Sequence, residues 1–355
     1  MFDLYLSTGA NSLEWYPPGV LDNNHLLFSY ATTKKWIIDY IRRKEAMSID
    51  LYLAGGKVPP VEPFLTEHGC NRLCSQIYDR KNYLEWTERL RESQGKLNNK
   101  LFIDSGAYTA YTRQKEIDVD EYIEFVNSID DFVTVFAQVD KIPGVHGQPK
   151  TKKQILEAPE LSWKNYLYMR ERVKSPDKLL PIFHRREDFK WLKQMLETTF
   201  DGKHIPYIGI AATTDSSVKE KKEWFEKVFA IIRSSSNPNV KTHAFGMTSL
   251  KLLETYPFTS ADSTSWLMTG ANGGIMSKWG TIIVSEQQKN DPSHILHVTR
   301  EQADDIHNYI ESFGFTLEQL SQDYKSRVMF NALFLKEWAK NYKLKSTNSY
   351  KKPLF

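Results

Sequence analysis

Short apolar runs of four to eight residues alternate along this chain with longer segments whose apolar positions recur every three to four residues. That rhythm is the signature of repeated strand–helix units around a parallel sheet. The runs predict strands near 2–6, 49–54, 100–104, 132–139, 179–183, 205–211, 240–246 and 258–262, eight in all. Helices are predicted over 33–44, 81–94, 118–129, 160–173, 187–198, 218–233 and a short 248–254. In 187–198, Phe189, Leu192, Met195 and Leu196 share one helical face, while Glu187 and Asp188 suit a helix start. The α/β pattern predicts a (β/α)8 TIM barrel. A doubly wound open sheet fits the same alternation, but no Gly-x-Gly-x-x-Gly follows the first strand, and the polar residues of interest recur just after strands.

Beyond residue 267 the alternation stops. Gly270, Gly273, Gly274 and Gly280 punctuate a segment that ends in a predicted strand over Thr281–Val284, and helices are predicted at 299–313 and 316–341. Thr299 with Gln302 fits a capping box for the first of these. The expected division is a barrel domain over 1–285 and a C-terminal helical extension over 286–355, without a zinc subdomain and ending in a basic tail expected to be mobile.

Composition adds limits. Hydrophobic residues make up 41% and charged residues 26%, as in a soluble globular protein, and no stretch approaches the ~18 apolar residues of a membrane span. The first residues, Met1 to Leu6, lack the basic region and apolar core of a signal peptide, so a cytoplasmic location is expected. Net charge is only +3, yet Lys150, Lys152 and Lys153, then Lys219, Lys221 and Lys222, then Lys340, Lys343, Lys345, Lys351 and Lys352 form basic patches that permit a polyanionic partner. Cys70 and Cys74 are the only cysteines, and with His68 they fall short of the four ligands of structural zinc. They read as ordinary reduced cysteines on a helix or loop.

In a barrel every strand delivers its C-terminal end to one mouth, so distant residues converge. Those ends are Asp104-Ser105-Gly106, Gln138-Val139-Asp140, Phe183-His184-Arg185, Gly209-Ile210-Ala211, His243 to Met247, and Asp262-Ser263-Thr264. Three aspartates in such a ring suit two chemistries: ligation of a hard divalent cation, or a nucleophilic carboxylate beside others that bind substrate. A carboxylate nucleophile serves well at an anomeric carbon, and that reading needs no cofactor. Gly209 and Gly246 can let a flat heterocycle approach the backbone, with Tyr108, Phe245 or Met247 stacking on it. His184 reads as a base, a substrate ligand or a structural histidine, and His243 more as a structural one.

Asp104-Ser105-Gly106-Ala107 resembles the Asp-Ser-Gly-Gly motif of queuine and archaeosine transglycosylases, which exchange guanine in tRNA for a 7-deazaguanine. Together with Tyr207-Ile208-Gly209-Ile210-Ala211, His243-Ala244-Phe245-Gly246 and Ser260-Ala261-Asp262-Ser263-Thr264-Ser265-Trp266, it is similar to their DNA-modifying relatives, the DpdA group of phages and bacterial islands. The resemblance spans most of residues 1–285 and implies a TIM barrel.

On that resemblance Asp262 is the nucleophile at C1′ and Asp104 the general acid/base. Asp140 recognises the purine edge, while Gly209, Ile210 and Ala211 offer backbone groups to the base. Ser105, Gly106, Phe245 and Gly246 complete the substrate site, and His184 stands where the tRNA enzymes carry a glutamine. The Cys-x-Cys-x-x-Cys and His zinc site of the tRNA enzymes has no counterpart, which turns the expected polymer from tRNA to DNA, with residues 285–355 as candidates to contact it. The expected activity is exchange of guanine in DNA for a free 7-deazaguanine base such as preQ0, with no cofactor. Alternatives are an enzyme acting on RNA, a catalytically idle nucleic-acid-binding barrel, and a divalent-metal hydrolase. Asp262 is expected in a polar spot helped by Ser263 and Thr264.

Overall fold

A computed structural model describes residues 49–345, apart from 94, 213–215 and 248. The strand predicted at 2–6, the helix predicted at 33–44, and Lys351 and Lys352 lie outside the described residues.

The main sheet is built from β1 (Asp50–Ala54), β2 (Arg72–Ser75), β3 (Leu101–Asp104), β4 (Val133–Ala137), β5 (Leu179–Leu180) and β6 (Ile182–His184). After a small antiparallel ribbon, β7 (Thr199–Phe200) and β8 (Lys203–His204), it continues with β9 (Tyr207–Ala211), β10 (Lys241–Phe245) and β11 (Ser260–Ser263). Its nine strands are all parallel and run in the order β5-β4-β3-β2-β1-β11-β10-β9-β6. The outermost two, β5 and β6, are neighbours in the chain with only Pro181 between them. A proline has no N–H for a ladder, but its carbonyl still accepts. Gly209 N–H donates to the Pro181 carbonyl (2.8 Å), and Gln138 N–H donates to that of Leu180 (3.0 Å). One short stretch thus bonds to both sides, and the sheet curls into a nearly closed barrel.

Period-two alternation divides the strand side chains between two cores. Leu51, Leu53, Leu101, Ile103, Ile208 and Ile210 face the helical layer, whereas Tyr52, Phe102, Val135, Ala137, Leu180 and Ile182 form a separate cluster inside the barrel.

The helices are α1 (Val61–Glu67), α2 (Gln76–Glu92), α3 (Ala107–Thr112), α4 (Val119–Ser128), α5 (Lys152–Arg170), α6 (Phe189–Glu197), α7 (Val218–Ser234), α8 (Leu250–Leu253) and α9 (Ser265–Ala271). The hairpin β12 (Gly274–Ser277) and β13 (Gly280–Ile283) follows, then α10 (Arg300–Ser312), α11 (Leu317–Gln322) and α12 (Tyr324–Lys340).

Three differences from the sequence pattern have local causes. β2 was not predicted, because Arg72 breaks its apolar run; Arg72 is buried there, its guanidinium bonded to the Gly55 carbonyl (2.8 Å) and 5.6 Å from the Trp86 ring. Cys74 therefore lies in a strand rather than on a helix or loop, and both cysteines are buried with no disulfide between them. Second, α5 begins at Lys152 rather than 160, since the Thr151–Gln154 capping box starts it before Pro159. Third, the helix predicted at 316–341 is two, α11 and α12, parted at Asp323, whose carboxylate accepts from the N–H groups of Lys325 (3.1 Å) and Ser326 (2.9 Å). The Thr299–Gln302 capping box forms as expected.

The C-terminal helix is part of the main core. Val328, Ala332 and Leu335 of α12 join the cluster that holds Leu51, Val61 and Leu65. Buried Asn331 ties it to the chain after β11, donating to the carbonyls of Trp266 (3.1 Å) and Gly274 (3.3 Å) and accepting from Met276 N–H (2.6 Å). Among the described residues no helix is long and apolar enough to cross a membrane.

Candidate active site

Parallel strands put Asp104 at the end of β3, Asp140 just past β4, His184 at the end of β6 and Asp262 near the end of β11, all on one mouth. Asp104 is partly buried, and its carboxyl is pushed up to about 7 by burial first and then by the charges of Asp140 and Asp262. One bond opposes that rise: Gly106 N–H donates to Asp104 Oδ2 (3.1 Å). The turn requires glycine, because Gly106 has φ +78° and a Cβ there would come within 2.7 Å of Ile77 and 2.8 Å of Ser75 Oγ.

Asp140 is held by His184, whose Nε2 lies 2.9 Å from Asp140 Oδ2. The other ring nitrogen lies 3.2 Å from Glu187 Oε1, and Glu187 also accepts from the His184 backbone N–H (3.1 Å). Burial pulls the imidazole down, but the hydrogen bonds and charges of the two carboxylates outweigh it and raise the ring to about 10. At neutral pH His184 is an imidazolium with both N–H groups engaged. It offers an incoming ligand its charge and ring edge, not a free donor.

Asp262 is buried, and both of its protein hydrogen bonds fall on one oxygen. Gly246 N–H donates to Oδ1 (2.8 Å), and His243 Nε2 lies 3.2 Å from the same atom. Behind His243 stands Ser260, with Oγ 2.5 Å from Nδ1, and behind Ser260 the hydroxyl of Tyr207, also in hydrogen-bond contact. The expected helpers of Asp262 face elsewhere: Ser263 Oγ bonds Ser265 (2.7 Å), and Thr264 is exposed. Among the described residues no group of three His, Cys, Asp or Glu side chains is arranged to hold a metal ion.

No protein-family model and no curated protein matches this chain.

The remaining predicted positions divide. A Cβ on Gly209 would sit 2.5 Å from the Phe245 ring, so in this structure an aromatic side chain fills the space a flat ligand was expected to use. Ile210 points into the helical layer, the Gly209 N–H is committed to Pro181, and the Ala211 carbonyl accepts from Arg185 N–H (2.9 Å). Ser105 and Gln138 are different. Both are buried, at 0% and 1% exposure, and neither the Ser105 hydroxyl nor either atom of the Gln138 amide has a protein partner. They are hydrogen-bonding capacity left unspent beside Asp104 and Asp140 in the sequence.

The loops after β1 to β4 carry cations over tyrosine rings. Arg113 lies 4.5 Å and Lys57 5.3 Å from the Tyr78 ring, and Lys150 lies 5.4 Å from that of Tyr111. Tyr108, the second residue of α3 and four residues past Asp104, is 68% exposed. The C-terminal lysines are partly committed elsewhere, Lys345 to Glu254 (2.6 Å) and Lys340 to Glu337 (3.7 Å).

Sequence reasoning left His243 without a site role and gave none to Ser260, Tyr207 or Glu187. The signal for the first three was available: with Phe245 and Asp262 facing the barrel interior, period two turns His243 and Ser260 inward, and Gly209 does the same for Tyr207.

Proposed function

We propose that the protein is a DNA guanine transglycosylase that exchanges guanine for a 7-deazaguanine base such as preQ0, on a (β/α)8 TIM barrel in which β5 and β6 count as one strand broken at Pro181. The observation that carries this reading is the unequal treatment of two carboxylates at one mouth. Asp104 is poised at about 7, where it can give and take a proton at neutral pH, while Asp262 is gripped through Oδ1 by Gly246 and His243.

In the proposed reaction Asp262 Oδ2 bonds to C1′ of the target deoxyguanosine as the C1′–N9 bond breaks. The bonding electron pair leaves with guanine, which takes a proton from Asp104. The incoming 7-deazaguanine then gives its N9 proton to Asp104, N9 bonds to C1′, and Asp262 departs as a carboxylate. Asp140, fixed by imidazolium His184, faces the purine edge, and Ser105 and Gln138 supply the unspent polar groups.

Duplex DNA hides both C1′ and the base, so the target must be flipped or single-stranded. The rim of Tyr108, Tyr78, Arg113 and Lys150 suits such a strand, with aromatic faces for bases and cations for phosphates. The chain's two buried cysteines cannot reproduce the zinc site of the tRNA enzymes, which favours DNA over tRNA. Incubation with DNA or tRNA and labelled guanine or preQ0 tests the reading. Label should enter DNA, and an Asp262→Asn protein as active as the parent would defeat it.

A further inference from the structure

We propose that His243 is a positioning residue for Asp262, the near end of a one-way hydrogen-bond relay that runs from Tyr207 through Ser260 and His243 to the carboxylate. The inference rests on reading Asp262 as the nucleophile. The relay crosses three adjacent strands: Tyr207 on β9, His243 on β10, and Ser260 with Asp262 on β11.

The proposed direction of each proton is built outward from the carboxylate. As the proposed nucleophile Asp262 is a carboxylate, which only accepts, so the proton between His243 Nε2 and Asp262 Oδ1 belongs to the histidine. In the proposed relay the imidazole is neutral, with its proton on Nε2 and a bare Nδ1 that accepts from Ser260 Oγ at 2.5 Å. Ser260 Oγ, having donated, accepts from the Tyr207 hydroxyl. Every donor points toward Asp262.

Packing fixes the same geometry independently. His243 and Ser260 have no exposed surface, and the imidazole is wedged between Phe102 and Phe245, with ring centroids 4.4 Å and 4.5 Å away. Such a ring cannot turn to offer its nitrogens elsewhere. With Gly246 N–H on the same atom, the relay locks the carboxylate rotamer, spends Oδ1, and leaves Oδ2 as the oxygen presented to C1′. Reactive geometry is steep in position: a misplacement of about 1 Å costs on the order of 100-fold in rate.

The test combines a spectroscopic signature with a kinetic series. Nitrogen-15 NMR of the histidine-labelled resting protein should show His243 protonated at Nε2 and bare at Nδ1, with Ser260→Ala moving the Nδ1 resonance. A ring protonated at Nδ1, alone or together with Nε2, overturns the relay whether or not base exchange is detected. In the exchange assay His243→Leu should lower kcat on the order of 100-fold with KM for DNA nearly unchanged, whereas His243→Gln, which keeps an N–H donor near the Nε2 position, should recover about tenfold. Ser260→Ala and Tyr207→Phe should give smaller losses in kcat, graded by distance along the relay and measurable even if the histidine variants fail to fold. Equal loss in the folded His243→Leu and His243→Gln proteins, or a change confined to KM, contradicts a positioning role. An active Asp262→Asn protein defeats the nucleophile reading instead. An inactive one beside a fully active His243→Leu defeats the positioning role alone.

Discussion

Replacing Asp104 with asparagine removes the titration that the proposed acid/base role depends on, and stability should report it without any substrate. Burial and the neighbouring charges raise this carboxyl from 3.8 to about 7, so the folded protein holds the proton far more tightly than the unfolded chain does. Its contribution is therefore full below pH ~4 and is lost as pH rises through about 7. At 1.36 kcal/mol per unit, a shift of about three units sets a ceiling of about 4 kcal/mol, of which roughly 2–3 kcal/mol falls between pH 5 and pH 8. The amide of the Asp104→Asn protein carries no such proton. Urea unfolding of both proteins at the two pH values should show Asp104→Asn gaining on the parent by up to that amount as pH rises, while exchange activity is lost. His184 titrates in both proteins and cancels in the comparison. A stability difference, Asp104→Asn minus parent, that stays constant or falls from pH 5 to pH 8 would refute the electrostatic reading of Asp104.

His184 should remain doubly protonated at pH 8.5 by nitrogen-15 NMR, because its ring is raised to about 10, and Glu187→Gln should bring it down; titration near 6.5 in the parent would contradict the Asp140–His184–Glu187 arrangement. The stability this ring contributes is full below pH 6.5 and is lost as pH rises toward 10. Asn331→Leu should cost at least about 2 kcal/mol in urea unfolding, since it strands the Met276 N–H and the Gly274 carbonyl at about 1–3 kcal/mol each, and a loss below about 1 kcal/mol would show that the C-terminal helix is not anchored there. Arg113→Ala and Lys150→Ala should each weaken DNA binding evenly across sequences and lower the salt slope by about one, and unchanged slopes would move the strand away from this rim.

Period-two alternation made most of the barrel legible. Runs such as Leu101–Asp104 and Lys241–Phe245 declare both their strand and the side chain that ends it. β2 was illegible because its buried Arg72 is satisfied by a carbonyl and an indole that only the fold brings near. Asp104, Asp140 and Asp262 were found by their placement at strand ends, which depends on chain position alone. Partners were harder. The donors to Asp262 come from β10 and the turn after it, not from Ser263 and Thr264 beside it in the chain, and the space over Gly209 holds Phe245. Adjacency across strands depends on sheet order and register, which local patterning does not encode.

In the proposed reaction Asp262 forms a covalent bond with C1′ of a nucleotide in DNA. Acid quenching of the protein with guanine-containing DNA, followed by proteolysis and peptide mass spectrometry, tests it directly. The expected product is a deoxyribosyl adduct on the peptide carrying Asp262, absent in Asp262→Asn. An adduct on another residue, or base exchange that proceeds unchanged in Asp262→Asn, would contradict it.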